Sequence, residues 1–229
     1  MTTSGTANFN PSLGELVLYA YGMIGVRRTA LTAEHMADAR MAANLMLQEW
    51  NNRQVMLFEV GTTSVPLVQG TAVYSVPSNL IMMLDAYIET VQNTTPTDRI
   101  VTPISRSTYA AIPDKATQGP PTQYWFDRQL AATFTLWPVP DLSFTYTFIY
   151  YNIARIQDAV LPGGVDVDIT PQWLRAFAAG LAAELAAVYA PEREQSRRMD
   201  AERSFQIAAD FEVENAPVTI APMLSGYFR

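Results

Sequence analysis

The chain contains one histidine, His35, and no cysteine. Any Ser-His-Asp triad or cysteine–histidine pair would have to run through His35, and thiolate nucleophiles and thiolate metal sites are excluded. His35 falls in the second turn of a predicted helix, among Glu34 and Asp38, where a solvated surface role fits better than catalysis. Asp166 and Asp168 flank Val167 in a Gly-rich loop and offer oxygens to Ca²⁺, but the other ligands of a calcium loop are missing. A glycosidase needs a protonated carboxyl beside an ionised one. With 22 acidic residues, the sequence singles out no such pair. Neither a Gly-x-Gly-x-x-Gly nor a Gly-x-x-x-x-Gly-Lys motif occurs, so nucleotide binding has no support and no cofactor is expected. These residue types point away from an enzyme.

Two clusters suit binding better than reaction. Tyr124, Trp125, Phe126, Phe144, Tyr146, Phe148, Tyr150 and Tyr151 can form a platform on which single-stranded nucleic acid stacks. That use wants interleaved cations, and only Arg128 and Arg155 flank the run. Packing in a core or subunit interface is the better reading. Arg193, Arg197, Arg198 and Arg203 lie among Glu192, Glu194, Asp200 and Glu202. Glu194 and Arg198 stand four apart, which reads as a solvated helix face. The same charges can instead pair across subunits and set register in a ring, and the sequence leaves both readings open.

The remaining composition narrows the class. With 229 residues, 49% hydrophobic and 16% charged, the chain can fill a core as one domain or two small ones. A net charge of −7 argues against general nucleic-acid binding, which depends on Lys and Arg at phosphates. The most apolar stretch, Trp173 to Ala190, contains Arg175 and Glu184 and reads as a buried or interfacial helix, not a membrane span.

Ser12 with Glu15 predicts a capping box opening a first helix, and Gly22 with Gly25 loosens or ends it. Thr32 starts a second, along which Met36, Ala39, Ala43, Met46 and Trp50 form one apolar seam. From Gln54 to about Arg155 the pattern becomes short alternating runs. Val60 to Val68 and Thr71 to Val76, divided by Gln69-Gly70, predict a hairpin. Leu84 to Ile88 and Ile100 to Ile104 are weaker strands, and Ser105 caps a short helix that Pro113 stops. Gln123 to Asp127, Thr133 to Trp137 and Phe144 to Asn152 predict a meander. Thr170-Pro171 opens a further helix, Pro191 starts another, and Pro217 ends regular structure.

The reading is α+β: N- and C-terminal helices form one helical unit around a central antiparallel β domain, a sandwich or small barrel. Its expected divisions are a mobile N-terminus (1–11), a helical domain (12–53 with 165–215), the β domain (54–164) and an extended tail (216–229). In that tail Val218, Ile220, Met223, Leu224, Tyr227 and Phe228 present more apolar surface than so short a segment can bury in itself, so it needs a groove or sheet edge elsewhere.

Several segments, taken in order, resemble the head-to-tail adaptor proteins of short-tailed bacteriophages. They are Trp50-Asn51-Asn52-Arg53 ending the second helix, Thr71 to Pro77, Ser105-Arg106-Ser107-Thr108-Tyr109, Pro121-Thr122-Gln123-Tyr124 and Leu136-Trp137-Pro138-Val139-Pro140. The resemblance spans roughly residues 11 to 215. It implies a structural virion protein at the portal–tail junction, present in the host cytoplasm during assembly. Its partners would be the portal protein, a downstream tail or nozzle protein, and copies of itself in a dodecameric ring. The tail segment would meet the portal, and DNA would pass through the ring without specific binding; no membrane is implied. The alternative is a cell-wall hydrolase carried in the virion, which would need a carboxyl group of raised pKa.

Overall fold

The computed structural model describes residues 5–6, 8–53, 56–92, 95–161 and 166–212. Two helices come first, α1 (Leu13–Met23) and α2 (Ala33–Arg53). Seven strands follow: β1 (Val60–Pro66), β2 (Val73–Ser75), β3 (Leu80–Gln92), β4 (Thr95–Pro103), β5 (Gln123–Asp127), β6 (Thr133–Trp137) and β7 (Thr145–Ala154). A short helix, α3 (Arg106–Ala110), separates β4 from β5, and α4 (Leu174–Tyr189) and α5 (Pro191–Ala209) close the described chain.

The local signals act as expected at the helix ends. The Ser12 side chain accepts from the Glu15 N–H while the Glu15 carboxylate accepts from the Ser12 N–H at 3.0 Å. At the other end of α1, Gly25 (φ +88°) lets the Val26 N–H reach back to the Tyr21 carbonyl, closing the six-to-one turn that favours glycine. His35 Nδ1 accepts from the Thr32 N–H at 3.3 Å, so the imidazole takes the place that a glutamate holds in a capping box. Thr170 precedes Pro171 in a single 3₁₀ turn that leads into α4, and Pro191 occupies the first turn of α5.

Helices α1, α2, α4 and α5 share one apolar core. Trp173, Tyr21, Phe177 and Leu181 are among its fully buried members, and α4, on which ten residues are buried, forms its centre. Gly180 of α4 lies against Met46 Sδ of α2, a close approach that a larger residue would obstruct. Among the described residues no helix is long and apolar enough to cross a membrane.

The strands form one sheet in the order β1-β7-β3-β4-β5-β6-β2. Every pairing is antiparallel except β4 with β5, which is parallel at Thr102–Gln123 and Pro103–Tyr124. The sheet curls: Phe134 of β6 stacks on Phe148 of β7 at 4.7 Å between ring centroids, although three strands separate them in the order. Its concave side holds a second core, including Ile88, Phe134, Leu136, Phe148 and Tyr150.

Two expected pairings differ. The runs around Gln69-Gly70 are not a hairpin: β1 pairs with β7, and β2 pairs with β6 at the opposite edge. The turn between them crosses the open side of the curl, where the Leu67 N–H donates to Tyr146, the Gly70 N–H to Pro140, and the Ala72 carbonyl accepts from Leu136. The expected meander is broken as well, because β5 pairs with β6 but β7 pairs with β1 and β3. A hairpin the sequence did not signal, β3 with β4, is built from the two runs with the weakest alternation, and β3 reaches 13 residues.

Candidate functional site

The arginine-bearing helix α5 is attached by few side chains. Phe205 and Ala208 are its buried residues, so most of its circumference faces solvent. Arg198 bonds Glu194 at 2.8 Å, as the four-residue spacing predicts, and also lies 3.5 Å from Glu184 of α4. Arg197 reaches Asp200 at 3.0 Å, and Arg193 reaches Glu192 at 3.7 Å. Arg203 forms no ion pair among the described residues. Exposed pairs of this kind stabilise by about 0–1 kcal/mol each, so these arginines remain free to exchange partners.

One ion pair that local spacing could not reveal joins α2 to α5. Arg53 holds Glu202 at 2.6 Å while its guanidinium lies 4.0 Å from the centre of the Phe205 ring. Beside it, a cleft of about 300 Å³ opens between α2, α4 and α5, lined by Glu49, Trp50, Glu184 and Arg198 among others. A second cleft, about 520 Å³, lies where the end of α2 meets the sheet. It gathers Arg128 and Arg155 with Asn51, Asn52 and Phe126, so the two cations that flank the aromatic strands in sequence share one wall in space.

The aromatic run divides by strand parity. Tyr124, Tyr146, Phe148 and Tyr150 are buried in the sheet core, and Trp125 stacks on Tyr109 of α3 at 5.4 Å. Phe144 and Tyr151 are the more open members, 37% and 42% exposed. Packing therefore uses most of the rings that a stacking platform would need.

His35 is half-buried, not solvated. Its ring stacks on Tyr189 at 4.7 Å, and the Tyr189 hydroxyl donates to Asp38. Burial together with Tyr189 raises the Tyr21 hydroxyl well above the ordinary tyrosine value, and Tyr21 donates to the His35 carbonyl at 2.6 Å. The cluster locks the start of α2 to the end of α4. Asp166 accepts from Asn10 at 2.8 Å and Asp168 from the Gln157 N–H at 3.2 Å. Among the described residues no group of three or more His, Cys, Asp or Glu side chains is placed to hold a metal ion.

Sequence inspection missed Glu59. Its carboxyl is pushed up to about 7, first by burial and then by the negative charge of Asp168. The pair has the electrostatic form the hydrolase alternative asks for, but neither residue lines the two clefts described above. The folded state binds this proton more tightly than the unfolded chain. Glu59 therefore costs nothing below the ordinary value of 4.5, and its penalty grows as pH rises through 7. Glu59→Gln is expected to be the more stable protein above pH 7, by on the order of 1 kcal/mol after solvent screening. Thermal unfolding of both proteins at low and high pH checks this, and parallel pH profiles would exclude it.

The six tail residues Val218 to Phe228 lie outside the described residues. The chain reaches them from Glu212, whose carboxylate accepts from the Leu57 N–H and from Trp173 Nε1–H, each at 3.0 Å. Glu212, the last described residue, is thus fixed to the helical core. Residues 23–221 match the family whose description is SU10 adaptor protein. No curated protein matches the chain.

Proposed function

Since this chain belongs to the SU10 adaptor protein family, a family of phage head-to-tail adaptors, we propose that its copies close into a ring beneath the portal of a phage capsid. The ring, a dodecamer in this reading, lengthens the DNA channel and offers a platform to the downstream tail or nozzle protein. It forms in the host cytoplasm during assembly and stays in the virion at the portal–tail junction. The tail, through Val218, Ile220, Met223, Leu224, Tyr227 and Phe228, is the portal anchor, and the α5 arginines contribute contacts around the ring. Residues 12–53 with 165–215 act as one unit and residues 54–164 as the other.

The observation that carries this reading is the extent of the match, which runs from the end of α1 through both cores into the tail. The net charge of −7 suits a channel through which DNA must slide, because weak phosphate binding leaves the duplex free to move. The proposed role asks for closed geometry and not for chemistry. Assembly is templated: the purified protein is expected to sediment as a monomer or weak oligomer and to form rings once portal rings are added. A stable large ring in the absence of portal would refute templating. Failure to bind portal under any condition would refute the adaptor role of this chain.

A further inference from the structure

Helices α2 and α5 each leave a ridge uncovered. On α2 the buried residues are Ala39, Ala43, Met46, Leu47 and Trp50. At about 100° per residue, Met41 and Leu45 project from the opposite side, and they are 60% and 59% exposed. On α5, Ile207 is 63% exposed, and Phe211, just past the helix end, is 72% exposed. Single exposed apolar residues are ordinary, but these fall in rows. Met41, Leu45 and Glu49 follow one another at spacings of four, and so do Arg203, Ile207 and Phe211. Rows of that spacing are the ridges by which helices interdigitate.

The two rows complement each other in one direction only. Laid antiparallel, Met41 meets Phe211, Leu45 meets Ile207 and Glu49 meets Arg203. Laid parallel, Met41 falls on Arg203 and Glu49 on Phe211, which leaves both charges against apolar groups. Arg203 has no ion pair in its own chain among the described residues. Glu49, exposed on the flank of α2, faces the cleft that Arg198 also lines and acts on that arginine only through its charge, with no ion pair formed. Within one chain the Arg53–Glu202 bridge joins α2 and α5, yet both ridges remain exposed there, so they do not satisfy each other internally. We propose that the α2 ridge of one protomer docks antiparallel on the α5 ridge of the next copy of this chain. Because the two ridges are different surfaces, the contact is heterologous and propagates around a ring. The assignment rests on the ring reading above and gives that ring a subunit contact.

The absence of cysteine makes cross-linking a clean test. The full chain carrying Leu45→Cys and Ile207→Cys together, assembled on portal rings and oxidised, should give a reducible ladder of covalent multimers. Each single variant should stay monomeric on the same gel. Dimers from Leu45→Cys alone would mean an isologous contact and overturn the proposal. Rings seen by electron microscopy without a ladder would overturn the ridge contact and leave the ring reading standing. No rings even from the wild type would overturn both. Independently, Glu49→Arg and Arg203→Glu should each weaken ring assembly by about tenfold, and the double reversal should restore it. Circular dichroism establishes that the variants are folded, and a folded double reversal as weak as the singles would also overturn the pairing.

Discussion

Trp50→Ala is expected to lower the stability of the protein by about 3–5 kcal/mol, the usual cost of truncating a buried tryptophan. Trp50 is 4% exposed and lies 5.2 Å from the Trp173 ring, 5.5 Å from Phe205 and 6.4 Å from Phe177. One side chain thus touches the entry to α4, α4 itself and α5, and its loss leaves a cavity that three helices would have to close. The neighbouring Trp173 and Phe205 also touch each other at 5.2 Å, so the rings around the cavity brace one another and cannot simply collapse into it. Thermal or denaturant unfolding measures the effect. A melting temperature equal to that of the wild type would show that Trp50 contributes nothing to this core.

Deleting residues 217–229 is expected to abolish capture by portal rings while leaving the helical content unchanged. The two outcomes separate because the last anchor among the described residues, Glu212 on Leu57 and Trp173, precedes the deletion. The deleted segment carries all six proposed anchors. An apolar side chain moved from water into a groove stabilises by about 1.5–3 kcal/mol, so losing even two should weaken binding by about a hundredfold or more. A pull-down with immobilised portal, paired with circular dichroism, reads both effects. Full capture by the truncated chain would remove the tail from the interface.

Together the two changes probe different levels of the molecule. Trp50 tests the helical core that positions the exposed faces of α2 and α5, and the tail deletion tests the proposed portal anchor. The ridge contact lies between them, since Leu45 and Ile207 project from helices whose opposite sides that core holds. A loss of assembly from Trp50→Ala would therefore report on stability, whereas a loss from Arg203→Glu, at a residue with no ion pair in its own chain among the described residues, reports on the contact itself.

The sequence by itself determined those features whose causes lie within a few residues. The Ser12–Glu15 box, the glycine-assisted end of α1, the cap at Ser105 and the prolines opening α4 and α5 all depend on bonds spanning one turn. The seam through Ala39, Ala43, Met46 and Trp50 is legible because a helix repeats every 3.6 residues, and the Glu194–Arg198 pair for the same reason. The family too was readable, from the order of segments such as Trp50-Asn51-Asn52-Arg53 and Leu136-Trp137-Pro138-Val139-Pro140. Only the tertiary structure decided which strands pair. Alternation shows that Val60 to Pro66 is extended, but a strand's edge does not encode its partner, and a closing turn at Gly70 serves a crossing as readily as a hairpin. The curl that joins Phe134 to Phe148 follows from that choice. Helix packing likewise decided the bridge from Arg53 to Glu202 across 149 positions and the stacking of His35 on Tyr189, while the whole fold brings Glu59 beside Asp168. Each brings together residues distant in the chain, and local propensity carries no information about such meetings.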